Sequence, residues 1–328
     1  MNVYIVGKGA VGTFLGELLE GAGVNVVYAP RDLAAVEPYD ADVAIVATKA
    51  YDTDGAIETL RKAIVRPQTC VFVTPQNGVG NEEKLVAAFG ADAVVAAALT
   101  VPVDRDRDGH ANATREGALA VAPVGNAAFN WLNATFAQTG LKVQVVDDWR
   151  ALKWSKLALN VIANASCAIL NVLPNRLVHF DNVFTLEIRA IREVRAVMSA
   201  IGVKPVDLPR YPVRVLQGIA TLPSPVSRLI LSKRIADARG TKPPSLLLDL
   251  RGGRPQTEVE FLNGAVAFAG SAHGVPTPVN AVFCRVLDDI AHMPQLWAKY
   301  RERPDTLSAE VDAEVHRVRA LARSQKAR

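Results

Sequence analysis

Short apolar runs alternate with longer segments of helical period along the first 147 residues. Val3–Val6, Asn25–Tyr28, Val43–Ala47, Cys70–Thr74, Ala93–Thr100, Ala118–Ala122 and Lys142–Val146 read as strands. Helical runs fall between them at Val11–Glu20, Ala56–Ala63, Glu82–Phe89 and Ala127–Gln138. Strands alternating with helices of this length predict a parallel, doubly wound sheet. The polar stretch Asp104–Asn112 leaves an antiparallel edge open as the arrangement of the later strands. From about Asp148 the strand pattern stops. Long helical patterns follow at Trp149–Leu170, Phe184–Ile201, Val226–Ala238, Thr257–His273 and Val279–Arg303, with Gly202 and Gly274 as helix stops. The expected organisation is an α/β Rossmann-type domain over residues 1–147 and an all-α domain over residues 148–328.

Composition narrows the classes. A chain of 328 residues is long for one core, and half of it is hydrophobic. No apolar run reaches the length needed to span a bilayer. The N-terminus enters a strand without a basic leader, so a soluble cytoplasmic protein is expected. Cys70, Cys167 and Cys284 lie far apart without metal-ligand spacing, which suits reduced core residues and predicts no metal. The net charge of +4 is concentrated in the last helix, from His316 to Arg328. Without interleaved aromatics or a recognised motif it reads as a solvated helix end, so no nucleic-acid or membrane partner is expected.

Val6-Gly7-Lys8-Gly9-Ala10-Val11-Gly12 follows a strand and opens a helix. It fits a dinucleotide phosphate loop: Gly7 for the tight turn, Gly9 for close approach of backbone to pyrophosphate, and Gly12 for helix–strand packing. The N–H groups of Ala10, Val11 and their neighbours at the helix start would face the phosphates. Lys8 is either a solvated residue or an added charge near the pyrophosphate. After the second strand, Arg31 suits a ribose 2′-phosphate and hence NADPH, while Asp32 is placed to bond a ribose hydroxyl instead.

In the first predicted helix of the second domain, Lys156, Asn160 and Asn164 recur every four residues among Leu157, Ala158, Leu159, Val161 and Ile162. Such a stripe is costly in an apolar setting unless it faces a polar cavity; the bland alternative is a solvent-facing stripe. Further on lie Ser245 and Glu258, with Thr257 as a plausible cap. Glu258 taken alone is an ordinary partner for a helix dipole.

Together these blocks resemble the ketopantoate reductase (2-dehydropantoate 2-reductase) family along most of the chain. The resemblance is carried by Gly7–Gly12, by Thr48-Lys49-Ala50, by Gln76-Asn77-Gly78-Val79-Gly80 with Glu82-Glu83, and by Lys156–Asn164 with Thr257-Glu258 downstream. It implies NADPH-dependent reduction of a 2-oxo acid, ketopantoate to pantoate first among them, in pantothenate biosynthesis. It implies that Lys156 protonates the carbonyl oxygen and that Glu258 orients lysine and substrate. It also implies that Asn160, Asn164 and Ser245 grip the substrate, that Asn77 lies beside the nicotinamide end of the cofactor and Lys49 near the cofactor, and that Arg31 falls at its 2′-phosphate. Hydride addition to a ketone builds an alkoxide, which an ammonium both stabilises and protonates. A proton donor and a hydride carrier on different domains would meet in a cleft.

The chain departs from the family in having only about ten residues between Arg31 and the third strand, which shortens the Rossmann domain. It is longer over Asp207–Gly240 and after Arg303, and extra helices there would reshape a substrate pocket. Two other readings keep the fold: a dehydrogenase of a different hydroxy or amino acid, and a non-catalytic nucleotide-binding protein. A homodimer through the helical domain is the expected assembly.

Overall fold

A computed structural model describes residues 1–106, 108–126, 129–239 and 241–326. The chain divides into two compact units, Met1–Lys156 with Val206–Pro212, and Leu157–Pro205 with Val213–Arg328.

In the first unit, β1 (Asn2–Val6), β2 (Asn25–Tyr28), β3 (Val43–Val46), β4 (Val71–Thr74), β5 (Val94–Leu99), β8 (Ala118–Pro123) and β9 (Lys142–Val145) form one sheet. Its order is β2-β1-β3-β4-β5-β8-β9. The first five strands in that order are parallel, with Val3 opposite Val43 and Ile45 opposite Val73. β8 joins β5 antiparallel, Leu99 opposite Leu119, and β9 runs parallel to β8. The polar stretch forms a separate hairpin of β6 (Val103–Arg105) and β7 (Ala111–Ala113).

Burial on both faces explains the near-continuous apolar strands. Val3 and Ile5 pack with Phe14 and Leu15 of α1 (Ala10–Gly21) and with Leu132 and Phe136 of α4 (Asn130–Thr139). Tyr4 and Val6 pack on the other face with Ile57 and Leu60 of α2 (Thr53–Ala63) and Leu85 of α3 (Asn81–Phe89). The helix expected from Ala127 starts at Asn130; residues 127–128 lie outside the described residues. The short passage from β2 to β3 carries one 3-10 turn, Leu33–Ala35, held by Lys62 Nζ on the carbonyls of Leu33 (2.7 Å) and Ala34 (3.3 Å).

Helix α5 (Trp149–Asn160) is capped by Asp148, whose Oδ1 accepts from the N–H of Arg150 at 2.8 Å. Its residues 149–156 fall in the first unit and 157–160 in the second. The second unit is helical: α6 (Ala165–Leu170), α7 (Pro174–Leu177), α8 (Asp181–Ala200), α9 (Val213–Thr221), α10 (Ser224–Arg239), α11 (Ser245–Arg251), α12 (Asn263–Ala272), α13 (Pro278–His292), α14 (Trp297–Tyr300) and α15 (Pro304–Lys326). Phe184, Leu247, Phe283 and Leu287 are fully buried in its core. Gly202 (φ 72°) closes α8, with the N–H of Val203 donating to Met198 O at 2.8 Å.

Three expected helices are interrupted; the one expected over Val279–Arg303 stops at His292 and resumes as α14 after a 3-10 turn at Pro294–Leu296. Trp149–Leu170 breaks after Asn160, because Ala163 is left-handed at φ 47°. Its N–H is held at 2.6 Å by Oε2 of Glu187, a buried carboxylate on α8. The segment Thr257–His273 is a 3-10 turn at Glu258–Phe261 followed by α12. Among the described residues, no helix is long and apolar enough to cross a membrane.

Candidate active site

The cofactor candidates all follow the carboxyl ends of neighbouring parallel strands: Gly7–Gly12 after β1, Arg31 after β2, Lys49 after β3 and Asn77 after β4. Ligands of open α/β sheets bind at such an edge. Gly7 takes φ 104°, and a side chain there would lie 2.6 Å from Thr48 N, so the turn passes tightly over the end of β3. A Cβ on Gly12 would fall 1.9 Å from Gly7 O. Gly9 is different. A side chain on it would meet nothing within 4 Å, leaving backbone open beside the first turn of α1, whose N–H groups lack helical partners. This open, electropositive cradle fits a pyrophosphate.

Lys8 lies over the Tyr28 ring, 4.6 Å from its centroid. Arg105, from the hairpin, donates to Lys8 O at 3.0 Å and braces the loop. Arg31 is exposed, whereas Asp32 spends Oδ1 on the N–H of Ala34 (2.9 Å), capping the 3-10 turn. Asp32 is therefore engaged locally.

Below Lys49 and Asn77 is a buried polar network that periodicity alone does not reveal. Gln76 Nε2 donates to Thr48 O (3.2 Å), Lys49 O (3.3 Å) and Thr53 Oγ1 (3.0 Å). Thr74 Oγ1 donates to Gln76 Oε1 at 3.0 Å. Thr53 Oγ1 also bonds Asn81 Oδ1 (2.9 Å), and Asn81 Nδ2 donates to Asn77 O (3.1 Å). The loops after β3 and β4 are thus tied together. Lys153, on α5, reaches the same loop: its Nζ lies 2.5 Å from Gln76 O and 2.9 Å from Glu82 Oε1.

The spatial order continues to Lys156. Lys156 Nζ donates to Leu99 O at 2.8 Å, at the carboxyl end of β5, the strand beside β4. Being three residues apart on α5, Lys153 and Lys156 both reach β5 carbonyls, those of Ala97 and Leu99.

In the second unit Asn160 is half-buried at the end of α5, and Asn164 lies past the break, 3% exposed. The stripe is therefore not one continuous helical face; left-handed Ala163 turns Asn164 away from the α5 repeat. Asn164 Oδ1 instead accepts the N–H of Leu246 at 3.2 Å, capping α11 and bringing Asn164 close to exposed Ser245. Glu258, 3% exposed, opens the 3-10 turn, and Thr257 Oγ1 caps that turn through the N–H of Val259. Burial pushes the thiols of Cys70 and Cys284 up to about 12, which removes them as nucleophiles.

Sequence reasoning gave no role to Lys153 or Arg105, and took Gln76 and Glu82 only as residues of the motif that carries the resemblance. A signal existed for Lys153: placed three residues before Lys156, it extends the same polar stripe back by one turn.

Two family models match, "Ketopantoate reductase PanE/ApbA" over residues 26–126 and "Ketopantoate reductase PanE/ApbA C terminal" over residues 148–291. The 2-dehydropantoate 2-reductase of Caulobacter vibrioides is 32% identical over 267 residues, spanning 81% of this chain and 82% of that relative. The chain belongs to the ketopantoate reductase family. As a member of it, the protein is an oxidoreductase. A solved ketopantoate reductase family structure from Ralstonia eutropha has a TM-score of 0.73 at 27% identity, covering 90% of this chain and all of that one. D-mandelate dehydrogenase with NADH and anilino(oxo)acetate shares the fold, with a TM-score of 0.73 at 18% identity over 89% of this chain and 98% of that one.

Proposed function

We propose that this protein reduces a 2-oxo acid to the 2-hydroxy acid with NADPH, with ketopantoate, which would yield pantoate, as its first candidate substrate. The observation that carries the reading is the placement of Lys156 Nζ at the end of β5, in line with the phosphate loop, Lys49 and Asn77 along one sheet edge. Bound NADPH would supply the hydride to the carbonyl carbon. The Lys156 ammonium, kept in place by Leu99 O, would give its proton to the carbonyl oxygen, and the amine left behind would be reprotonated from solvent. Glu258 would orient the lysine and the substrate, and Asn160, Asn164 and Ser245 would bind the carboxylate and hydroxyl. Arg31 would pair with the 2′-phosphate, a role favoured by the local engagement of Asp32.

The test follows NADPH oxidation with ketopantoate for wild type and Lys156→Ala. Turnover is expected for wild type and a loss of about 10²–10⁴-fold in the variant, with NADPH affinity retained. Turnover of another 2-oxo acid but not of ketopantoate would move the substrate and keep the chemistry. Full activity in Lys156→Ala would overturn the mechanism. We also propose a homodimer through the helical unit; equilibrium sedimentation should then give twice the 35.2 kDa chain mass, and a monomer at micromolar concentration would dismiss it.

A further inference from the structure

Lys153 and Glu82 form an ion pair in which the lysine side chain is 1% exposed and the glutamate 0%. The pair lies outside the residues to which substrate chemistry has been assigned. Charges this deep are costly, and apolar residues of the same size often replace them without loss of stability. Stability by itself is therefore a weak reason for the pair. Its connections give a better one. Lys153 Nζ also bonds Gln76 O at 2.5 Å and Ala97 O at 3.3 Å. A single ammonium thus joins α5, β5, the first turn of α3 and the loop that leads into Asn77. Glu82 Oε1 lies 2.9 Å from Nζ, and neither oxygen is tied to another side chain among the described residues. The carboxylate thus serves chiefly as the counter-charge that allows a lysine to stay there.

One turn further along α5, Lys156 holds Leu99 O. The helix that carries the proposed proton donor is thereby fastened, through its neighbouring lysine, to the loop that carries Asn77. We propose that Lys153, with Glu82 as its counter-ion, is a positioning residue that sets the Gln76–Asn81 loop, and with it the nicotinamide end of the cofactor, in register with Lys156. This rests on the reductase reading for the cofactor, while the clamp on the loop is a property of the protein alone.

The test uses the full-length protein with Lys153→Met and with the paired variant Lys153→Met/Glu82→Leu. The single change leaves a buried carboxylate without its partner and is expected to lower Tm. The pair removes both charges and is expected to recover most of that loss. A purely structural role predicts that function returns along with Tm. Positioning predicts that it does not: in the paired variant, amide exchange across residues 76–81 should be at least about tenfold faster while β1 and β3 keep wild-type protection. NADPH should bind at least about tenfold more weakly, while 2′,5′-ADP, which lacks the nicotinamide half, binds within about twofold of wild type. Wild-type exchange in the loop together with wild-type NADPH affinity would overturn the proposal. Equal weakening of NADPH and 2′,5′-ADP, with exchange raised throughout, would also overturn it in favour of general destabilisation. If wild type binds neither ligand, the reductase reading falls, and loop exchange still decides whether the clamp exists.

Discussion

A side chain at Gly9 would meet no atom within 4 Å, and its backbone, at φ −85° and ψ −171°, is one that any residue adopts. The fold itself therefore does not need a glycine there, unlike at Gly7 and Gly12, and the proposed pyrophosphate supplies a reason for one. Gly9→Val is expected to change stability by no more than about 0.5 kcal/mol while abolishing NADPH binding. A melt and a fluorescence titration check both, and undiminished binding would remove the phosphate loop from the proposal. At the other end of the cofactor, Arg31→Ala should weaken NADPH by roughly 10–100-fold, the worth of one or two charge-assisted hydrogen bonds. NADH affinity should be unchanged. Equal loss for both nucleotides would mean that Arg31 does not read the 2′-phosphate. Asp32 was ambiguous in sequence because a short acidic side chain serves equally as cap or ribose ligand. Only the position of the Ala34 N–H distinguishes them.

At the scale of elements, the break in the α5–α6 segment changes what the asparagines do. The repeat Lys156, Asn160, Asn164 is genuine in sequence, but the helical rule that places such residues on one face applies only while the helix continues. Left-handed Ala163 ends it, held by a carboxylate 24 residues away on α8. No local pattern announces that contact. Asn164 consequently caps α11 through Leu246, which gives it a structural duty beside the proposed one. Asn164→Ala should cost about 0.5–2 kcal/mol, as loss of a cap does. Asn164→Asp keeps the acceptor but puts a carboxylate at a 3% exposed position, so it should melt below wild type and raise KM for the oxo acid at least about tenfold by repelling its carboxylate. An unchanged KM in the Asp variant would leave Asn164 as a cap alone. The strands and helix stops were legible because each reflects a short-range rule: alternating burial across a sheet, or a glycine closing a helix.

For the whole molecule, buried carboxylates shape the dependence of stability on pH. Burial pushes Glu193 up to about 7, against hydrogen bonds from the backbone N–H groups of Asn280 and Val279 and the Asn280 side chain. Burial raises Glu82 in the same direction, despite Lys153. A carboxyl raised on folding makes the folded state bind more protons than the unfolded one between the two pKa values, so stability falls as pH rises through that window. For Glu193 the window runs from 4.5 to about 7, with a cost of up to about 3 kcal/mol. Glu310, lowered first by its hydrogen bond from Lys299, and Glu314, lowered by Arg317, act oppositely: their stabilisation is lost as pH falls below the ordinary carboxylate range. Stability should therefore peak in mild acid. In urea melts at pH 5 and pH 7, Glu193→Gln should show a smaller difference between the two than wild type. An identical difference would mean that Glu193 is already ionised at pH 5.

The sequence by itself determined the doubly wound sheet, the helical second half, the glycine-rich turn between β1 and α1 and the residue types of the proposed reaction. Each is encoded by neighbours within one strand, helix or turn, where the chain's own geometry sets the spacing. Only the tertiary structure decided that Asp32 is a cap, that the Lys156 stripe breaks before Asn164, and that Lys153 is bound to the loop before Asn77. The last two depend on partners many residues away, Glu187 for the break and Gln76 and Glu82 for the clamp, whereas the Asp32 cap depends on the turn that brings Ala34 N–H, two residues on, within reach. A polar side chain becomes ligand, cap or clamp according to which groups the fold brings within hydrogen-bond reach, and burial makes that choice energetically consequential.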